Sequence, residues 1–306
     1  QGVGYLGNAA TNVSYPLTTI CLSIALLIGI GSASRYSLYL GAGEPDKAAK
    51  VVGDGISMMI FCGIVYAILI ELFIHPMLTA FGATDKVMPY ALDYTRITAV
   101  GMPLLIVTNG ISNLARADGS PKYSMTCMLV GAVINTILDP IFIFPLGMGV
   151  AGAAIATVIG QFFSCLMALR YVPHFQQVKL NRSHFGLHFR RWPSNVSLGL
   201  SSCLNQMALT VVQIVLNNSL TYYGAMSVYG KDIPLAACGI VMKTNSLLLA
   251  VIIGISQGLQ PIVGFNYGAR KYGRVQKAYR LAISCNLVIS ALGFCMFQFF
   301  PRQIIS

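Results

Sequence analysis

Asp139 is the residue of this sequence best placed to do chemistry. It stands in the run Ala132-Val133-Ile134-Asn135-Thr136-Ile137-Leu138-Asp139-Pro140-Ile141-Phe142-Ile143-Phe144, an apolar segment that carries a carboxylate and an amide four residues apart. That spacing puts both groups on one face of a helix. A turn centred on Met148 follows, with Asp139 nine residues before it and Thr157 nine residues after it. In an antiparallel helix pair those two residues reach one depth, about 13 Å from the turn at ~1.5 Å per residue. This is near the middle of a ~30 Å hydrocarbon layer. Carboxylate, amide and hydroxyl oxygens gathered there make a hard-ligand set for a small cation or a proton. Na+ held by Asp139, Asn135 and Thr157 is the metal to expect, and competition between Na+ and H+ for the carboxylate is a means of coupling. Tyr94 enters its own helix from the same side and can approach the cluster. Pro140 removes a backbone hydrogen bond directly after Asp139 and is expected to kink the helix. The competing reading has Asp139 serving only to tie the backbone of that kinked helix.

The elements that must position these groups follow from composition. Among 306 residues there are 20 Lys+Arg and 9 Asp+Glu, so 9% are charged, against roughly 25% in a soluble domain. Hydrophobic residues make up 56%, and the mean hydropathy is +0.70. An ordinary water-soluble enzyme and a disordered chain are both excluded. Eight runs are long and apolar enough to cross a bilayer, at 10–39, 48–74, 87–110, 121–144, 150–171, 194–222, 233–264 and 278–300. Pro16, Pro103 and Pro261, like Pro140, lie inside them. Turn-forming clusters such as Gly41-Ala42-Gly43-Glu44-Pro45-Asp46 and Asp118-Gly119-Ser120-Pro121-Lys122 separate them. The separator at 172–193 is longer. The eight cysteines form no CxxC pair and read as small apolar packing residues. His75, His174, His184 and His188 fall at run ends or in separators, and no HExxH or GxSG motif lies in a helix. An intramembrane enzyme is therefore only a remote alternative.

Charge placement gives orientation. Alternate separators hold fifteen basic residues on one side and three on the other, with Arg96 and Lys243 inside helices. Basic residues stay on the cytoplasmic side, so the first run is expected to pass from outside to inside. The basic 172–193 stretch is expected on the inner surface, which accounts for the net charge of +11 without a nucleic acid. Asp54, Glu71 and Asp93 lie within about two turns of a helix end and read as solvated, interfacial groups. Arg96 is three residues from Asp93 and can pair with it.

A shift of 227 residues superposes early and late sequence: Leu6-Gly7-Asn8-Ala9-Ala10 on Ile233-Pro234-Leu235-Ala236-Ala237, Ile28 on Ile255, Gly31 on Gly258, and Gly41-Ala42 on Gly268-Ala269. Both copies run the same way, so the symmetry axis lies along the membrane normal, a transporter architecture. The natural unit is then six helices. The eight present are expected to be the second to sixth of one lobe (1–171), a cytoplasmic linker (172–193) and the seventh to ninth of an incomplete second lobe (194–306). The chain, opening on Gln1, is expected to be a fragment.

At these residues the chain resembles the multidrug and toxic compound extrusion (MATE) family, in its DinF-like prokaryotic branch. The resemblance rests on Asn135-Thr136-Ile137-Leu138-Asp139-Pro140, on Gly149-Val150-Ala151-Gly152-Ala153-Ala154-Ile155-Ala156-Thr157 with Gln161, on Arg116-Ala117-Asp118-Gly119-Ser120-Pro121, and on Gln257-Gly258-Leu259-Gln260-Pro261-Ile262-Val263-Gly264-Phe265-Asn266-Tyr267-Gly268-Ala269. It covers essentially the whole chain. It implies an all-α polytopic protein of a prokaryotic cell membrane, with two six-helix lobes related by a pseudo-two-fold along the membrane normal. It also implies a cation-coupled (Na+ or H+) antiporter exporting organic, often cationic, compounds by alternating access, with no cofactor beyond the coupling ion. Asp139, Asn135 and Thr157, with Tyr94 nearby, would be the coupling cluster. Asn109, Asn113, Gln161, Gln206 and Gln213 would line the substrate cavity. The implied partners are small organic molecules and the bilayer, the implied state a monomer, and nucleic acid is no partner. The NorM-like branch places a carboxylate in the first helix of the second lobe; here 194–222 has none. A lipid-linked precursor flippase of related architecture is the alternative.

Overall fold

In a bilayer, long apolar segments satisfy their backbone as helices. The computed structural model, which describes residues 4–226 and 232–299, is helical apart from turns and loops. Its helices are α1 (Gly4–Gly41), α2 (Pro45–Ala80), α3 (Met88–Ala117), α4 (Pro121–Ile143), α5 (Gly149–Tyr171), α6 (Trp192–Ser197), α7 (Leu200–Ala225), α8 (Asp232–Gly268) and α9 (Tyr272–Phe299), with single 3-10 turns at Val172–His174 and Arg182–His184. Among the described residues seven helices are long and apolar enough to span a membrane, and α7 contributes a shorter apolar stretch, Leu200–Leu216. The protein is a multi-pass membrane protein. The run expected at 194–222 is broken: α6 stops at Ser197, and Leu198-Gly199 form a turn before α7. Gly199 lies against the backbone of Leu27, where any Cβ would strike the Leu27 carbonyl.

The chain divides into two compact units, Gln1–Met207 and Ala208–Ser306. In the first, α3 is central and packs against α1, α2, α4 and α5. Small residues set the approach. Gly29 of α1 meets Gly110 of α3, and Gly63 of α2 meets Pro103 of α3. The hydroxyls of Ser14 and Thr95 share a 2.8 Å hydrogen bond across α1 and α3. The outward faces are apolar at helical spacing: Ile60, Ile64, Ile68 and Leu72 on α2, and Met125, Leu129, Val133, Ile137 and Ile141 on α4, are all exposed. This inverts the soluble pattern and suits lipid contact. In the second unit α8 and α9 form a hairpin in which Gly293 abuts Leu248.

The repeat is legible in backbone detail. α1 ends at Gly41 and α8 at Gly268, a separation of 268 − 41 = 227. After α1, Glu44 N donates to Tyr39 O at 2.9 Å; after α8, Lys271 N donates to Asn266 O at 2.8 Å. Both pairs are 227 apart. Each turn closes on a left-handed residue, Gly43 (φ 76°) and Arg270 (φ 57°). These are C-terminal caps of the six-to-one type.

The kink expected at Pro140 is not a break in α4, which runs on to Ile143. The non-helical residue is Phe73 in α2 (φ −116°, ψ 20°), three residues before Pro76. Pro76 deprives the Leu72 carbonyl of its partner, and the turn between them opens.

Candidate functional site

The site begins with glycine. On α5, Gly152, Ala156, Gly160, Ser164 and Ala168 are buried at i, i+4 spacing; on α4, Ser124, Cys127 and Gly131 are buried. Such small-residue stripes let helix backbones come close in a membrane. A Cβ on Gly160 would lie 2.6 Å from the Gly131 carbonyl oxygen and 3.2 Å from Asn135 Cβ. Ser164 Oγ donates to the Cys127 carbonyl at 2.8 Å. The crossing delivers Asn135 to Thr157.

Asn135 is the hub of the cluster. Its Nδ2 donates to Asp139 Oδ1 at 3.2 Å and to Thr157 Oγ1 at 3.3 Å, while Thr157 Oγ1 donates to the Ala153 carbonyl at 2.9 Å. Asp139, Asn135 and Thr157 are each half-buried. Tyr94, half-buried on α3, is within electrostatic range of Asp139. The structure thus joins Asp139, Asn135 and Thr157 by hydrogen bonds, with Tyr94 on the neighbouring α3. Their register differs from the expected one. Thr157 is level with Asn135 and not with Asp139, because α4 stops at Ile143 and α5 starts at Gly149, which centres the hairpin near Leu146 instead of Met148.

The cluster borders a cavity of about 220 Å³ between α3, α4 and α5, lined by Asn109, Asn135, Thr157 and Gln161 among apolar neighbours such as Leu105 and Met128. Gln161 Oε1 is buried without a hydrogen-bond partner. That oxygen is packed against α3 at Gly101, where a Cβ would collide with it. Asn109 Nδ2 is engaged by the Leu105 carbonyl at 2.9 Å. Asn113 does not line this cavity: it is 4% exposed, donates to the Asn109 carbonyl at 2.8 Å and accepts from Arg116 Nη2 at 2.6 Å. Gln206 is half-buried and Gln213 exposed, both on α7. Among the described residues no three His, Cys, Asp or Glu side chains gather as a metal cluster. The Asp139–Asn135–Thr157 set supplies one carboxylate, one amide and one hydroxyl, which fits a weakly held monovalent cation better than a divalent one. In the observed arrangement the Asn135 amide points its N–H groups at both oxygens, so a cation would require the amide to turn.

Two acids are buried under residues distant in sequence. Asp54, expected to be solvated, is 2% exposed; His188 Nδ1 lies 2.7 Å from its Oδ1 and Arg191 Nη1 3.4 Å from its Oδ2. Asp118, which closes α3, is 1% exposed. It accepts four hydrogen bonds: from Tyr36 Oη, from Tyr171 Oη at 2.7 Å, and from the backbone N–H of Gln176 at 2.7 Å and Gln177 at 3.1 Å. Both anchor the 172–193 stretch to the long helices of the first unit. Asp93 and Arg96 are exposed and form no ion pair with each other, and Glu71 is exposed. The Lys243 side chain lies outside the described residues.

A bundle of membrane-spanning helices around a polar, cavity-lining cluster is the architecture of a membrane transport protein. The MatE family profile matches residues 3–141 and 201–306, and the chain belongs to that family. Among similar proteins are an "FAD transporter" of Shewanella oneidensis, 27% identical over 97% of this chain and 66% of that protein, and a "Multidrug export protein MepA" of Staphylococcus haemolyticus, 26% identical over 96% of this chain and 64% of that protein. These relatives are named as transporters, not enzymes. The chain spans about two thirds of their length. Similar solved structures include MATE in complex with MaD3S (TM-score 0.91, 24% identity, 99% of this chain and 67% of that one). Another is an outward-facing multidrug resistance MATE family transporter (TM-score 0.90, 24% identity, 99% and 66%). The fold is therefore the all-α fold of the MATE transporters.

Proposed function

We propose that this chain is part of a Na+- or H+-coupled antiporter that exports organic, often cationic, compounds by alternating access. It works as a monomer in a prokaryotic cell membrane, with 1–171 and 194–306 in its two lobes and 172–193 between them on the cytoplasmic side. The observation that carries this reading is the Asn135–Asp139–Thr157 cluster, set beside a small, mostly apolar cavity that Asn109 and Gln161 help to line. A carboxylate at that position is costly unless it does work. When Asp139 takes a proton or Na+, its bond with the Asn135 amide must change, and with it the tie from α4 to α5. A rearrangement that both ion and substrate bias is what coupling requires. The similarity to a multidrug export protein supports the substrate class. The similarity to an FAD transporter favours a second reading, export of an anionic flavin dinucleotide through the same cavity.

The test is Asp139→Asn in the full-length protein, with efflux of a fluorescent organic cation and of flavin dinucleotide measured with and without an imposed Na+ or H+ gradient. Loss of gradient-driven efflux in a variant that inserts and melts like the wild type is expected. Wild-type efflux by Asp139→Asn would overturn the assignment, and flavin export alone would select the second reading.

A further inference from the structure

The segment around α6 sorts its side chains by polarity. Arg190, Arg191, Ser194 and Asn195 line one open pocket of about 610 Å³, completed by Arg35 of α1 and by Lys47 and Lys50 of α2. Five cations face it and one carboxylate, Asp54, which His188 and Arg191 already engage. Lys47 is held by Glu44 at 2.9 Å. Arg35 Nη2 donates to the Ser194 carbonyl at 2.7 Å, yet its Nε is buried without an acceptor. Asn195 is 3% exposed, and its Nδ2 has no acceptor either. The pocket therefore has unmatched positive charge, above all from Lys50 and Arg190. What it lacks is an anion with several oxygens, and a phosphate group supplies that.

The other side of the same segment is apolar. Phe189, Trp192 and Val196 close a groove of about 590 Å³ along α1 and α2, with Phe61, Val65 and Leu69 beneath. Trp192 stacks near Phe61 and Phe189 at ring distances of 5.5 and 4.5 Å. A tryptophan beside basic residues at a helix end marks a membrane interface. Pocket and groove thus lie back to back across residues 189–196, one matching a phosphate and the other a hydrocarbon chain.

We propose that residues 35–69 and 189–196 form a binding site for one anionic phospholipid, its phosphate in the Arg35–Lys50–Arg190–Asn195 pocket and an acyl chain in the Phe61–Trp192 groove. The site is separate from the Asp139 cluster and does not depend on what is exported. Its occupant braces α6 against α1 and α2.

The probe is phosphatidylglycerol brominated on its acyl chains, which quenches a tryptophan it touches. It is added to the purified full-length protein in neutral detergent, with Trp192→Phe providing the blank. Brominated phosphatidylglycerol should quench Trp192 at far lower mole fraction than brominated phosphatidylcholine. In K50Q/R190Q, which removes two exposed cations without a protein partner of their own, that preference should fall roughly thirtyfold, the product of two surface cations. An unchanged melting temperature shows that the variant is folded. Val65→Phe should fill the groove and abolish quenching of Trp192 by either lipid. Equal quenching by the two lipids, an unaltered preference in K50Q/R190Q, no quenching at all, or displacement of the lipid by inorganic phosphate at millimolar concentration would each overturn the proposal.

Discussion

Asp118→Asn probes the most densely bonded side chain of the first unit. Two hydroxyl hydrogens and two backbone N–H groups converge on its carboxylate, Tyr36 and Gln177 on Oδ1, Tyr171 and Gln176 on Oδ2. Four donors require an acceptor-only partner, which a carboxylate is and an amide is not. Whichever way the new amide turns, one oxygen position becomes NH2. There one backbone N–H loses its acceptor, the tyrosine hydroxyl must turn to accept from the amide, and the charge that strengthened the remaining bonds is gone, all in a site that is 1% exposed. A hydrogen bond to a charged group contributes about 1.5–3 kcal/mol, so the substitution should cost about 3–6 kcal/mol. Tyr36→Phe and Tyr171→Phe each delete a single donor and should cost about 1.5–3 kcal/mol. Unfolding of the purified protein in mixed micelles on titration with a denaturing detergent gives the comparison. The expected order is Asp118→Asn well below either tyrosine variant, with sub-additive losses when it is combined with them, because they share one partner. If Asp118→Asn is as stable as the single tyrosine variants, or adds to them fully, the carboxylate is not the hub and the argument fails.

Gly160→Ala places a methyl group against the Gly131 carbonyl and Asn135. The backbone there cannot yield as a flexible side chain would, so a loss of about 1–3 kcal/mol is expected. Ion-dependent efflux should fall with it, since Asn135 and Thr157 separate; a variant that loses stability but keeps coupling would count against the α4–α5 crossing as the site's support. Asp54→Asn removes the charge that holds His188 and Arg191. The 182–191 segment should then open about tenfold more often, read as faster tryptic cleavage at Arg182, Arg190 and Arg191; cleavage at the wild-type rate would refute this.

The grouping of Asn135, Asp139 and Thr157 was legible from sequence because it depends on two short-range regularities. Four residues bring Asn135 and Asp139 to one helix face, and a short turn sets Thr157 at nearly matching depth. The error was confined to the hairpin centre, which the loop Phe144–Met148 fixes and helical periodicity does not. Asn109 and Gln161 also reached the cavity, but Asn113, one turn from Asn109, is spent on Arg116. An i, i+3 partner of opposite polarity was available in the sequence as a warning. The burial of Asp54 and Asp118 had no such local signal. Both are covered by residues 53 to 137 positions away in the chain, and a separator that folds back onto the bundle cannot be told by composition from one that lies in water. The same applies to the break at Leu198-Gly199, set by the backbone of Leu27.

A flexible tether of the length of residues 172–193 would have a mean reach of about 26 Å. This one has little freedom to wander. It is pinned at Gln176 and Gln177 by Asp118, at Gly186 by Ser57, at His188 by Asp54 and at Ser194 by Arg35. With so few residues between pins, it acts as a strut and not as a leash. A strut transmits force: a displacement of the α3–α4 corner arrives at the first turn of α7 without being lost as slack, and lengthening the stretch by a few residues should matter far less than cutting one of its pins.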